Sequence, residues 1–551
     1  MKKTCACLLL ALLLCAPLGA QGFLKGKILY FDAGDNLSER SGSGFKFSLL
    51  GGLSMSSSLS LLSVERALEK AAEDNDIAMV FIRPDMISAG MAAREELRQS
   101  LARFAAKGKP VVCYGISFDT GSYYLGSVGD RVFMHPGSSG TLVGPSSTQL
   151  YYKDLLDSLG VRIQLIRHGS YKSAGEPYVR SEMSEENRQQ YQALLGSIWD
   201  PMVEEMASSR GIVADTLRTW ITTLQLSTSR DWLEKGLVDG LKYRDEMEEY
   251  LCHLFGKADP DDLKKVSMSE YVESLKQNGS KKVAVLYAEG EIVRSGSGIA
   301  GEKFAREVAK VRADSSVKAV VFRVNSPGGE VVAAEMIRRE IESLRKDKPV
   351  IASYGDYAAS GGYLISAGTD RIFVDNATLT GSIGVFGQVI SYGEALSSKL
   401  HIHPYTVGTH EHSDMGSGMR PLDEKELVRY QEDIDGIYDD FVRVVSDGRG
   451  MGLDAVEAVA QGRVWSGGDA LKNGLADEKG TLLDAVKYAA RLAGLGKYSI
   501  EAYPAKNDLL GEILSLAKEE DHQLIRVREI LPAGFSTVAR MPYIELDKNG
   551  R

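Results

Sequence analysis

"GKPVVCYGISFDTGSYYLGSVGDRVFMHPGSSGTLVG" (residues 108–144) and "DKPVIASYGDYAASGGYLISAGTDRIFVDNATLTGSIG" (347–384) are one stretch written twice. Lys-Pro-Val opens both, Tyr-Leu follows at 124–125 and 363–364, and Asp-Arg-aliphatic-Phe comes at 130–133 and 370–373. Outward from this pair the correspondence continues. "IAMVFIRP" (77–84) answers "VKAVVFRV" (317–324), and "LEKGLVDG" (233–240) answers "LKNGLADE" (471–478). A register held over that distance identifies a tandem duplication. The boundary falls in the polar stretch "SLKQNGSKK" (274–282), which gives an N-terminal repeat over 21–275 and a C-terminal repeat over 276–551.

Each repeat alternates strand and helix. A short aliphatic strand opens it ("GKILYFDA", "KKVAVLYAEG"), and a segment of helical period follows ("SVERALEKAAED", "KFAREVAKVRAD"). Then come a buried-type strand, another helix and the Lys-Pro-Val strand. Strands that are apolar on both faces, separated by helices, predict parallel βαβ units covered on both sides. The fold class is therefore α/β, and long helices are expected over 184–209 and 423–447.

The first twenty residues, "MKKTCACLLLALLLCAPLGA", are different material: two lysines, an apolar run, then Pro17 and small residues. They read as a secretory signal or a short membrane anchor, since a comfortable span needs about 20 apolar residues. Removing Lys2 and Lys3 takes the net charge from -10 to -12, which gives no footing for nucleic acid. Three of the five cysteines (Cys5, Cys7, Cys15) lie in this leader. Cys113 and Cys252 remain, and Cys113 sits in an apolar strand as a buried thiol would, so no disulfide framework is expected.

Where the copies differ, chemistry is expected. Ser360 in "AASGG" faces Gly121, and "NSPGGE" (325–330) faces "PDMISA" (84–89). Conversely "HGSYKSAGEP" (168–177) in the first copy faces "VGTHEHSDMG" (407–416), which sets Lys172 against Glu411. A serine flanked by Ala358, Ala359 and Gly361 lets an extended peptide backbone approach. Main-chain N–H groups after Ser360 and in the Ser-Pro-Gly-Gly loop are placed to meet a developing oxyanion. Of the eight histidines none stands in a triad motif. His401, His403, His410 and His412 read as a polar loop rather than a metal cluster, and neither a metal nor a cofactor is called for. A lysine replaces histidine as base when burial lowers its pKa, and Lys172 lies among small residues with no adjacent positive charge until Arg180.

"RVNSPGGE", "GDYAASGGYLISAGTDRIFVDNATLTGSIGVFG" and "GSYKSAGEPYVRSEMSEENRQQ" together resemble the signal peptide peptidase A family in its long, duplicated form, over nearly the whole chain. The resemblance implies two crotonase- or Clp-protease-like domains and a membrane-associated serine peptidase acting on cleaved signal peptides from the exported side of the cell membrane. By motif it makes Ser360 the nucleophile and Lys172 the general base. Ser382 in "LTGSIGV" becomes the residue that orients the lysine, and Gly329 and Gly361 become the oxyanion hole. Apolar peptide substrates and a homotetramer are implied with it. Two other functions compete: an inactive membrane-protein scaffold, and a crotonase-like enzyme acting on thioesters.

Overall fold

The structure, a computed structural model, describes residues 24–31, 36–40, 42–48, 52–277, 279–504 and 536–540. The leader reading for residues 1–20 falls outside them. Among the described residues no helix is long and apolar enough to cross a membrane. Contacts divide the chain into two compact units: one takes residues up to Ser146 together with Trp199–Lys276, the other Ser147–Ile198 together with the chain from Gln277. The second unit thus gathers a piece of each sequence repeat.

In the first unit, strands β1 (Lys27–Phe31), β2 (Ile77–Ile82), β3 (Val111–Gly115) and β4 (Arg131–Met134) lie side by side and parallel, flanked by Lys265–Ser267 and Gly240–Leu241. Every residue of β2 and β3 is buried, as expected of strands covered on both faces. Helices α1 (Leu61–Glu73) and α2 (Met91–Ala105) are the crossovers. Cys113 and Cys252 are buried and unpaired.

In the second unit the first-repeat segment contributes α3 (Lys153–Leu159) and β5 (Arg162–His168). The second repeat supplies β6 (Lys282–Glu289), α4 (Gly301–Ala313), β7 (Val317–Ser326), β8 (Gly328–Glu330), α5 (Val331–Asp347) and β9 (Val350–Ala359). It continues with α6 (Gly361–Leu364), β10 (Leu379–Gly381), β11 (Val385–Ser391), α7 (Gly393–Lys399) and α8 (Glu424–Arg449), and β12 (Ser536–Arg540) ends the described chain. The main sheet runs β10-β9-β7-β6 with parallel neighbours, around a core that includes Val320, Phe322, Val350 and Ala352. A second sheet stacks β8, β12, β11 and β5 in antiparallel order. The two long helices stand at Glu185–Arg210 and Glu424–Arg449, within two residues of their expected limits.

The repeated motifs have structural work in both copies. Lys109 Nζ donates to the carbonyls of Ala71 and Asp74 (2.7 and 2.5 Å), closing the C-terminus of α1. Lys348 Nζ does the same for Val311 and Asp314 (2.8 and 2.5 Å) at the end of α4. Asp130 accepts from Val111 N–H and Asp370 from Val350 N–H, both at 2.8 Å. What the copies share holds strand to helix.

Candidate active site

β9 leaves the main sheet at Ala359, and its last residues pair with β10. The next residue, Ser360, turns sharply with φ +56° and ψ −118°, a region a non-glycine residue occupies only when its surroundings hold it there. Its N–H donates to Gly381 O (2.8 Å), which pins the turn to β10. The flanking side chains are small for a packing reason as well. A Cβ on Gly362 would stand 2.6 Å from Ser326 O, so the serine turn lies directly against the end of β7. The apolar segment after Ser360 makes a single helical turn, α6, rather than a long helix.

The Ser-Pro-Gly-Gly loop follows β7 and leads into β8. Gly329 has φ +157°, and a Cβ there would fall 1.9 Å from Ile292 O. Only glycine fits. Gly361 opens α6, where first-turn N–H groups have no intrahelical acceptor.

Lys172 arrives from the other repeat on the turn after β5. Arg167 Nη1 donates to Lys172 O (2.8 Å) and pairs with buried Glu176 (3.1 Å), which also accepts from Ser184 Oγ (2.7 Å). Tyr171 N–H donates to Gln461 O (2.9 Å), and Ser173 Oγ to Asn187 Oδ1 (2.8 Å). The side chain enters through a slot lined by glycine: a Cβ on Gly462 would stand 2.6 Å from Lys172 Cβ. At its end Nζ lies 2.7 Å from Ser360 Oγ, 3.0 Å from Ser382 Oγ and 3.1 Å from Ser382 O. Lys172, Ser360 and Ser382 are each 0% exposed. Burial alone drives the Lys172 amine well below its usual pKa, with no neighbouring charge to oppose it.

The structure thus brings together Lys172, Ser360 and Ser382, 188 and 210 positions apart in sequence. Arg167, Glu176 and Gly462 were not visible as site residues: a surface-type charge pair and a loop glycine carry no sequence signal that separates them from dozens like them. The comparison of the two copies needs one correction. Gly160, the C-cap of α3, and His401, one residue past the C-cap of α7, both have positive φ, and Tyr152 N–H and Tyr392 N–H bind Pro177 O and Gly418 O. That register sets Ser413, not Glu411, opposite Lys172, because the second copy has an extra residue at the end of α7. Beside Gly121 the space is filled by Arg94, whose guanidinium donates to Ile87 O (2.9 Å) and Ala89 O (3.1 Å). Glu411 faces Lys425 (3.5 Å).

Histidines stand elsewhere. His168 Nδ1 is 2.7 Å from Asp435 with its ring stacked on Tyr438, and among the described residues no histidine hydrogen-bonds Ser360. His412 comes within 3.0 Å of Glu426 and 3.5 Å of Asp423, but Arg420 binds both oxygens of Glu426 and both of Asp414. Arg420 already supplies the positive charge at this cluster, which makes it a network of ion pairs.

A buried serine hydroxyl in hydrogen-bond contact with a buried amine of lowered pKa is an arrangement that serine hydrolase chemistry can use. Family and relatives point to a serine peptidase. The model of peptidase family S49 matches residues 103–254 and 342–496. Protease 4 of Haemophilus influenzae is 33% identical over 493 residues, 85% of this chain and 80% of that one. The chloroplastic serine protease SPPA of Arabidopsis thaliana is 31% identical over 80% of this chain and 66% of its own. A putative signal peptide peptidase SppA of Enterococcus faecium is 35% identical over 43% of this chain and 71% of its own. Among solved structures, a ClpP1 mutant of Listeria monocytogenes matches 37% of this chain and 94% of its own at 16% identity and a TM-score of 0.26. The protein is a serine peptidase. It belongs to peptidase family S49, whose signature it carries once in each repeat.

Proposed function

We propose that Ser360 is the nucleophile and Lys172 the general base of an endopeptidase that degrades apolar peptides, spent signal peptides among them, on the exported side of the cell membrane. The observation that carries this reading is the 2.7 Å contact between Ser360 Oγ and a fully buried amine with no counter-charge. Neutral Nζ takes the proton of Ser360 as Oγ attacks the scissile carbonyl, then returns it to the leaving amine. Water deacylates the serine by the same two proton transfers in reverse order. Ser382 holds Nζ through its hydroxyl and carbonyl, so the lone pair stays aimed at Ser360. The N–H groups of Gly329 and Gly361 receive the oxyanion.

Substrate shape follows from the second sheet. The extended segment β12 lies antiparallel between β8 and β11, pairing Gly329 with Ala539 and Phe386 with Val538. A peptide in the same place would take main-chain bonds on both sides beside the serine turn, with side chains alternating between two faces. The relatives' printed names, protease and signal peptide peptidase, support the substrate class.

Two measurements test the reading. Ser360→Ala should lower kcat on peptide substrates by about 10⁴-fold or more while circular dichroism is unchanged. The rate should rise with pH through the depressed pKa of Lys172 and stay high on the alkaline side, because only the neutral amine accepts a proton. If replacing one histidine abolishes turnover in a folded protein, the assignment of the base is wrong.

A further inference from the structure

Two buried amides stand one turn apart on the long helix Glu185–Arg210. Asn187 is 0% exposed and Gln190 1%, although Glu186, Arg188 and Gln189 around them face solvent. Buried amides are stable only where their polar groups find partners. The partners of these two lie on both sides of Lys172. Asn187 Oδ1 accepts from Ser173 Oγ (2.8 Å), on the residue after the lysine, and Gln190 Nε2 reaches Tyr171 O (3.5 Å), on the residue before it. Gln190 Nε2 also contacts Asn187 Oδ1 (3.4 Å), which joins the two amides. Gln190 Oε1 accepts from Val464 N–H at 2.7 Å, the shortest of these bonds.

Val464 opens the strand Val464–Ser466, which lies antiparallel to β10 at the edge of the main sheet. The two residues before it hold Ser382. Arg463 O accepts from Ser382 N–H, and Gly462 N–H donates to Ile383 O, both at 2.7 Å. Ser382 needs that hold, because its φ of +50° is one a side chain rarely adopts unaided. Gln190 therefore touches the backbone that carries Lys172 and the backbone that fixes Ser382. The 3.0 Å contact from Lys172 Nζ to Ser382 Oγ lies between the two segments this side chain joins.

The second copy supplies a contrast. Its long helix starts on the same kind of cap: Asp423 accepts from Glu426 N–H (2.9 Å) as Ser184 Oγ accepts from Asn187 N–H (3.2 Å). That register sets Arg429 opposite Gln190. Arg429 is a surface side chain, 61% exposed and paired with Asp433 at 2.7 Å. The buried glutamine stands in the copy that carries the lysine.

We propose that Gln190 is a positioning residue of the reaction: it ties the Lys172 turn to the Ser382 turn and so aims Nζ at Ser360 Oγ. The inference rests on the assignment of Ser360 and Lys172 above and adds to it a residue that never meets the substrate.

The test counts active sites before it measures rates. A fluorophosphonate that labels Ser360 to completion gives the concentration of competent sites, and kcat is expressed per labelled site. Gln190→Met fills the same space without polar groups and should lower kcat about thirtyfold, with KM within about twofold of the parent. Gln190→Glu keeps an oxygen for Val464 N–H; on the alkaline plateau, where the lysine is neutral, its kcat should return to within about fivefold of the parent. Gln189→Met, on the exposed side of the same helix, should change neither constant. Should Gln190→Met fail to fold, Gln190→Asn, one methylene too short to reach Val464, takes its place. An unchanged kcat per labelled site in either folded variant would overturn the proposal. So would a loss confined to KM or to the fraction of sites that label, where a residue that only stabilises the fold would act, or no recovery in Gln190→Glu. Failure of the underlying assignment looks different: turnover would then survive Ser360→Ala or Lys172→Ala.

Discussion

Lys172 is an ionisable side chain buried where charge is costly. No carboxylate stands within reach of its amine to keep it protonated, and its three contacts are two hydroxyls and a carbonyl. In the unfolded chain the same amine binds a proton below about pH 10.4. Between its lowered folded pKa and that value the unfolded state holds more protons, so this residue makes stability rise with pH across the interval. Lys172→Met, close in volume and uncharged, is expected to raise Tm at neutral pH, flatten the pH dependence of stability and abolish turnover; thermal melts across a pH series measure all but the last. In the proposed reaction Ser382 acts through the lysine. Its change to alanine should lower kcat about a hundredfold at little change in KM, because the lysine loses one of the two groups that aim it. Ser360 and Lys172 were legible from the way the copies diverge, and Ser382 only from the family resemblance. Their support was not: Arg167, Glu176 and Gly462 act through distances that only folding sets.

At the scale of elements, the periodic segments formed what their patterns demand. Strands β2 and β7 came from the apolar runs Ile77–Ile82 and Ala319–Phe322, and the long helices from segments with a polar face. The residues conserved between copies proved to be fasteners. Lys348 covers two carbonyls at the end of α4, as Lys109 does for α1. Lys348→Ala should therefore cost about 1–2 kcal/mol by denaturant unfolding and leave the Michaelis constant unchanged. A comparable loss from Lys109→Ala would confirm that the motif is structural in both halves. The short elements escaped the sequence reading. β8 has three residues and α6 four, too few for any periodicity to declare itself. Their conformations depend on contacts such as Gly362 against Ser326 O and Gly329 against Ile292 O.

For the whole molecule the unit of sequence and the unit of packing differ. The repeats meet near residue 276, yet Ser147–Ile198 of the first packs with the chain beyond Gln277. The serine and the lysine therefore lie in one compact unit of one chain. Mixing Ser360→Ala chains with Lys172→Ala chains should then restore no activity in a peptide-cleavage assay; recovery of a substantial fraction would mean that sites assemble between chains. What the sequence by itself determined is the duplication, the α/β alternation and the short list of residues in which the copies diverge, because those depend on residue type and local spacing. What only the tertiary structure decided is that Lys172 reaches across 188 positions to Ser360 and loses its water on arrival. Burial and long-range contact belong to the packed chain. A pattern in sequence carries the residues of the site, and the fold alone sets the dielectric in which they meet.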